Sequence, residues 1–347
     1  MQFSLRRLLA ALMACVCAPV ATAADQNVVN LYSARHYQTD QELYAAFTRQ
    51  TGIEVRVVEG NDAALLERIR SEGENGPADV LLLADAARLW KAEETGLFQP
   101  VQSAHLNQRI PARLRAAEGP NGTPWFGFSI RARVIAYNRA RIDPKRVAHY
   151  ADLADPSLRG QLCTRSGSHP YMLSLIASRV VHEGEAATQA WARSAVENFA
   201  RKPRGGDTDQ IRATAIGECT VALTNSYYYA RLMRSDDPAD REVIAKVGLI
   251  WPDQDTHGTH INVSGGGMVR GAPHPEAAKA FLEYLASDPA QKHFAEGNNE
   301  WPAVDGVAID NPALAELGEF KADPLPLAEV GATQATAARI VDRVGWR

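Results

Sequence analysis

The chain has 347 residues, 46% of them hydrophobic, and a formal charge of −4. That is enough for two ordinary domains with buried cores. No basic stripe or tail is present, which argues against nucleic acid as the main partner, and no CxxC, HExxH or zinc-type cluster is spelled out.

Arg6 and Arg7 precede an apolar run from Leu8 to Val20, and Ala21-Thr22-Ala23 then supplies the small residues that a signal peptidase reads. Residues 1–23 are therefore expected to be a secretory signal, with the mature chain starting near Ala24. The run is too short and too soon followed by polar sequence to span a membrane. Leu12-Met13-Ala14-Cys15 loosely resembles a lipoprotein box, the lesser alternative, because the apolar run continues past Cys15. Removing the signal takes away Arg6 and Arg7 and no acid, so the charge falls from −4 to −6. It also takes away Cys15 and Cys17. The remaining pair, Cys163 and Cys219, is expected to be bridged in an exported protein.

Val28 to Ala34 reads as a buried strand. Thr39 and Glu42 have the spacing of a capping box, and Leu43, Ala46 and Phe47 follow at helical spacing up to Gly52. Ile53 to Val58 alternates as a strand, Ala64 to Ile69 is helical, Asp79 to Leu83 is a short apolar strand, and Leu89 to Gly96 closes another helix. The pattern breaks at Trp125 to Asn138, a long extended segment with Arg131 and Arg133 inside it. A second run follows: strand Gln161 to Thr164, helices over Met172 to His182, Ala190 to Phe199 and Thr208 to Ile216, and strand Thr220 to Thr224. After Val247 to Trp251 comes a second long segment, Ile261 to Arg270, with the Gly265-Gly266-Gly267 run, read as close strand packing. Pro275 to Ala286 and Pro289 to Phe294 are helical, and the stretch from Asp310 reads as outer helical pieces.

Alternating strands and helices predict an α/β fold with mostly parallel sheets. The two long segments read as paired hinge strands crossing between two lobes, the arrangement of a solute-binding protein that closes on its ligand. The expected division is 24–129 plus 257–304 for lobe 1, and 130–256 plus 305–347 for lobe 2. In such folds the ligand lies beyond the carboxyl ends of the strands. That rule selects Ser33, Arg35, His36 and Tyr37 after the first strand, Ser166, Ser168 and Tyr171 after the second lobe's first strand, and Asn225, Ser226, Tyr227 and Tyr228 after the next. Four phenols thus fall at three strand ends.

Neutral phenols ionise only near about pH 10 and make a poor anion site. A trivalent cation drives them to phenolates, which are established ferric ligands. Four phenolates on one Fe³⁺ leave about one negative charge, which Arg131 or Arg231 could offset. His36 is a fifth donor only if a turn at Arg35 or His36 brings it and Tyr37 onto one ion, since neighbours in an extended chain face opposite ways. Tyr32, Tyr44, Tyr137, Tyr150 and Tyr284 lie in periodic apolar segments and read as packing; Tyr229 points about 100° away from Tyr228 on a helix and reads as core. His257 and His260 form an H-x-x-H, read as a solvent or hinge feature.

The segments Leu31-Tyr32-Ser33-Ala34-Arg35-His36-Tyr37, Pro77-Ala78-Asp79-Val80-Leu81-Leu82, Arg131-Ala132-Arg133-Val134-Ile135 and Asn225-Ser226-Tyr227-Tyr228-Tyr229 closely resemble the periplasmic ferric-iron-binding proteins of bacterial iron ABC transporters. The resemblance spans nearly the whole mature chain. It implies a transferrin-like fold of two lobes and a periplasmic, monomeric, non-enzymatic protein that carries Fe³⁺ to an inner-membrane ABC permease. It makes Tyr37, Tyr171, Tyr227 and Tyr228 ligands, with Arg131 and Arg231 as charges behind them and an anion such as carbonate as a candidate to complete the shell. Some members use His plus a carboxylate in the first lobe, so Glu59 or Asp62 could stand in there. Two rivals remain open. One is a small organic ligand, such as a polyamine, thiamine or a carboxylate, in the same fold. The other is an exported hydrolase using Ser166 or Ser168 with His169, for which no G-x-S-x-G elbow is present.

Overall fold

A computed structural model of the chain describes residues 27–35 and 37–347. The signal segment, Cys15, Cys17 and His36 lie outside the described residues. Among these residues no helix is long and apolar enough to cross a membrane.

The strands are β1 (Val28–Ser33), β2 (Glu54–Glu59), β3 (Val80–Leu83), β4 (Phe98–Gln99), β5 (Phe126–Asn138), β6 (Leu162–Cys163), β7 (Val221–Asn225), β8 (Val247–Ile250), β9 (Ile261–Val269) and β10 (Trp301–Pro302). They follow the order β2-β1-β3-β9-β5-β7-β6, with β4 on β9 and both β8 and β10 on β5. Parallel pairing joins β1 to β2 and β3, and β6 to β7. Every pairing of the two long strands is antiparallel. The sheet is therefore mixed, where strand–helix alternation alone suggests a mostly parallel one. The two long segments re-enter the sheet from loops rather than through the helical crossovers that parallel neighbours need.

β5 links the two halves of the molecule. Its residues Phe126 to Ala132 pair with β9, and Arg133 to Tyr137 pair with β7. It is buried along nearly its whole length, so both arginines inside it need partners, and both have them: Arg131 meets Glu300 at 2.9 Å and Arg133 meets Asp207 at 2.6 Å. The glycine run of β9 allows the close packing expected of it. A Cβ at Gly265 would meet the Phe126 carbonyl oxygen, and one at Gly267 the Pro124 carbonyl oxygen.

The helix Asp40–Thr51 forms where its apolar spacing predicts it, but the capping box does not. Thr39 makes no side-chain cap: its backbone is already helical, with φ −59° and ψ −30°, instead of the extended form of a capping residue, and its hydroxyl donates to Asn298 Oδ1. The helices Pro170–Glu183 and Ser226–Met233 start at the ends of the second-half strands and carry the phenols on their first turns. Near the C-terminus, helix Leu327–Ala332 packs against both Ala86–Glu94 and Pro170–Glu183, with Gly331 under Trp90.

Cys163 and Cys219 are bridged, with Cα atoms 5.8 Å apart. One lies on β6 and the other just before β7, the two strands whose ends lead to Tyr171 and Tyr227. Replacing both cysteines by serine is expected to cost about 2–4 kcal/mol. Urea unfolding should show this as a lower midpoint. An unchanged midpoint would mean that the bridge does not stabilise this half of the fold.

Candidate metal centre

Tyr171 enters the site from the first turn of its helix, where His169 Nδ1 accepts the Tyr171 amide at 3.2 Å and caps the helix. Tyr227 enters from the first turn after β7. Their hydroxyls lie 3.3 Å apart. The Tyr37 ring meets the Tyr227 ring edge to face, with centroids 6.2 Å apart, and the Tyr228 ring lies 4.1 Å from that of Tyr227. Arg131 Nη1 donates to the Tyr171 hydroxyl at 3.4 Å, and its guanidinium sits over the Tyr227 ring at 5.6 Å. Phenols far apart in the chain therefore gather around one buried guanidinium.

The carboxylate of this centre is Glu300. The antiparallel register of β10 on β5, with Trp301 opposite Ile130, places Glu300 beside Arg131. Tyr37 donates its hydroxyl to Glu300 Oε1 at 3.0 Å, and Ser129 donates to Oε2 at 2.7 Å. Arg35 binds Oε2 at 3.2 Å and turns its other edge to Asp40 at 2.7 Å. Two buried cations thus face two buried anions, and the assembly is charge-balanced while the phenols stay neutral.

Burial alone would raise the Glu300 carboxyl, but Arg131 and Arg35 outweigh it and hold it at about 2. The phenols move the other way. Burial, then the charge of Glu300, pushes Tyr37 well above the usual phenol range; burial, then the neighbouring phenols, does the same to Tyr227. Burial also raises Tyr171, with Arg131 opposing. The arrangement therefore holds the phenols in their neutral form.

Of the residues expected at the site, Tyr37, Tyr171, Tyr227 and Arg131 converge, and Tyr228 stacks beside them half-buried. Arg231 lies farther out: it sits over the Tyr228 ring at 5.2 Å and donates to Thr208 Oγ1 at 3.0 Å. Glu59 and Asp62 line a neighbouring cavity of about 430 Å³, shared with Arg35, Asp85 and Tyr171, while the acid bonded to Tyr37 is Glu300. Glu300 and the bridging role of Arg35 are absent from the sequence reading; no local motif marks Glu300, which follows a helix end capped by Asn299 in the left-handed region. Tyr229 is core, as read, donating its hydroxyl to the Val247 carbonyl at 2.7 Å. The hydrolase rival fails on geometry. Ser166 and Ser168 bond each other at 2.9 Å, and burial lowers His169 to about 3 while its Nδ1 is used as a helix cap.

Residues 42–325 match the family model described as bacterial extracellular solute-binding protein. Iron uptake protein A1 of Synechocystis sp. is 49% identical over 331 residues, covering 95% of this chain and 91% of that protein. A structure of Trichodesmium FutA (IdiA) in complex with iron and citrate ligands superposes with a TM-score of 0.87 at 49% identity, over 92% of this chain and 100% of that one. The ferric binding protein from Campylobacter jejuni superposes with a TM-score of 0.85 at 38% identity, over 92% of this chain and 100% of that one. These relatives are iron-binding transport proteins rather than enzymes, and their structures are two-lobed. The chain belongs to the bacterial extracellular solute-binding protein family, and within it resembles the ferric-iron-binding members.

Proposed function

We propose that this protein captures ferric iron in the periplasm and delivers it to an inner-membrane ABC permease. The ligands in this reading are Tyr37, Tyr171, Tyr227 and Tyr228. Arg131, itself paired with Glu300, is the cation that touches the phenols, Arg231 guards the outer side of Tyr228, and an anion such as carbonate or citrate completes the shell. The observation that carries the proposal is the convergence of buried phenols on Arg131, with Tyr171 and Tyr227 hydroxyls 3.3 Å apart. Hard, ionisable oxygen donors around one point suit a trivalent cation, whereas an organic ligand would need apolar lining and fixed hydrogen-bonding groups.

The phenols divide unequally. Tyr171, Tyr227 and Tyr228 begin helices in the half that contains β6 and β7, and Tyr37 follows β1 in the other half. Taking 24–129 plus 257–304 as one lobe and 130–256 plus 305–347 as the other, iron docks first on the three-phenol side. Closure then brings Tyr37 onto the ion. X-ray scattering with and without ferric citrate tests this sequence. The wild type should compact on loading, and Tyr37→Phe should bind iron yet compact less. Equal compaction in both proteins would separate Tyr37 from closure.

A further inference from the structure

A second group of donors lies away from the phenols, around the loop that leads into β9. His182, on the last turn of the Tyr171 helix, places Nε2 2.8 Å from Asp323 Oδ2. The His182 and His257 rings stack with centroids 4.1 Å apart, and donor atoms of His182, His257 and Asp323 all lie within 4.8 Å of one another. Asp253 stands behind His257. It is only 4% exposed, its Oδ2 is buried with no hydrogen-bond partner, and that oxygen faces His257 Nε2 at 3.4 Å. The H-x-x-H of the sequence thus splits: His260 turns inward to Ser174 Oγ at 2.9 Å, and His257 finds His182 instead.

We propose that His182, His257 and Asp323 form a second metal site, for a divalent ion of the zinc class, with Asp253 as the carboxylate that orients His257. Two imidazoles and one carboxylate suit zinc, copper or nickel and are too nitrogen-rich for calcium or magnesium. With Asp253 at Nε2, His257 would offer Nδ1 to the ion, and a carboxylate on the other ring nitrogen is the usual support for a ligating histidine. A divalent ion would balance the charges of Asp323 and Asp253 while both imidazoles stay neutral. Without it, stacked imidazoles lie against two buried acids, and protonating both rings would set like charges face to face. His182 and His257 are each partly open to solvent, so an ion can enter. Once bound, the ion ties the end of the Tyr171 helix to the start of β9 and to the Asp323 segment, which already holds Thr259 through the Asp323 amide at 2.9 Å. The site differs in donor hardness from the phenol cluster, so the two select different ions.

Zinc titrated calorimetrically into the mature full-length chain tests this, with a parallel titration into protein loaded with ferric citrate and then freed of excess citrate. One zinc equivalent is expected in both, together with a raised melting temperature. Asp253→Asn should weaken zinc by about 10- to 100-fold, and His182→Ala and His257→Ala by more. His105→Ala, at an exposed position, should bind as the wild type does. His182 is the safer variant to fold because it lies at an exposed helix end. Equal zinc affinity in wild type and His182→Ala, or loss of the zinc equivalent in iron-loaded protein freed of excess citrate, would overturn the proposal, the latter by placing zinc among the phenols. Iron binding by His182→Ala should be unchanged, so failure here and failure of the iron reading are separate results.

Discussion

Tyr227→Phe should lose ferric iron almost completely. Tyr227 is the hub of the cluster: its hydroxyl faces that of Tyr171, its ring contacts those of Tyr37 and Tyr228, and Arg131 lies over it. Phenylalanine keeps the ring packing and removes only the anionic donor, so the fold should survive and a thermal melt serves as control. Losing a supporting partner behind a metal ligand costs about 10- to 100-fold in affinity, and losing a ligand at the centre of the set should exceed that. Tyr37→Phe should be milder, on the order of 10- to 100-fold. Tyr37 has to ionise beside the Glu300 carboxylate, and that repulsion offsets part of what its phenolate contributes to binding. Competition against citrate for ferric iron measures both. Equal losses in the two variants would mean that Tyr227 holds no special place.

Acid should release iron well before it unfolds the protein. The buried phenols titrate above their ordinary range, so at neutral pH they are protonated until iron displaces the protons. Binding is therefore favoured at high pH and lost as pH falls. With about three or four phenols ionising, affinity should drop roughly a thousandfold or more per pH unit. Calorimetry in buffers of different ionisation heat should show about that many protons released per ion. Glu300 works in the opposite sense for the fold. Its carboxyl is held at about 2 against the ordinary 4.5 of a free glutamate, so the stability it contributes is full above the higher value and disappears only as pH falls toward the lower. An acid titration followed by iron absorbance and by circular dichroism should give two separated transitions. Coincident transitions, or no proton release, would remove phenolate ligation from the account.

Much of this was legible in the chain because local rules act over short distances. Tyr227 and Tyr228 follow a short apolar strand and begin a helix, so the strand-end rule finds them. The same rule finds Tyr37 and Tyr171, and the charges inside a long apolar segment mark β5 as the strand that joins the halves. What stayed hidden depends on contacts between distant segments. Glu300 is set beside Arg131 by the pairing of β10 with β5, and nothing within several residues of it reports that register. Thr39 looks like a capping residue, but its backbone is already helical and its hydroxyl goes to Asn298, 259 positions away. His182 and His257 sit on separate elements, and only the packing of the Tyr171 helix against the loop before β9 brings their rings together. The mixed sheet has the same origin, since strand direction is set by how loops return the chain and not by the pattern within a strand.

The most direct test of the central claim is the visible and resonance Raman spectrum of the mature protein loaded with ferric iron, recorded for wild type and Tyr227→Phe. Phenolate ligation should give a phenolate-to-iron charge-transfer band with phenolate ring modes in the wild type, and both should be lost in Tyr227→Phe. A stoichiometrically loaded but colourless wild type, or identical spectra from the two proteins, would contradict it.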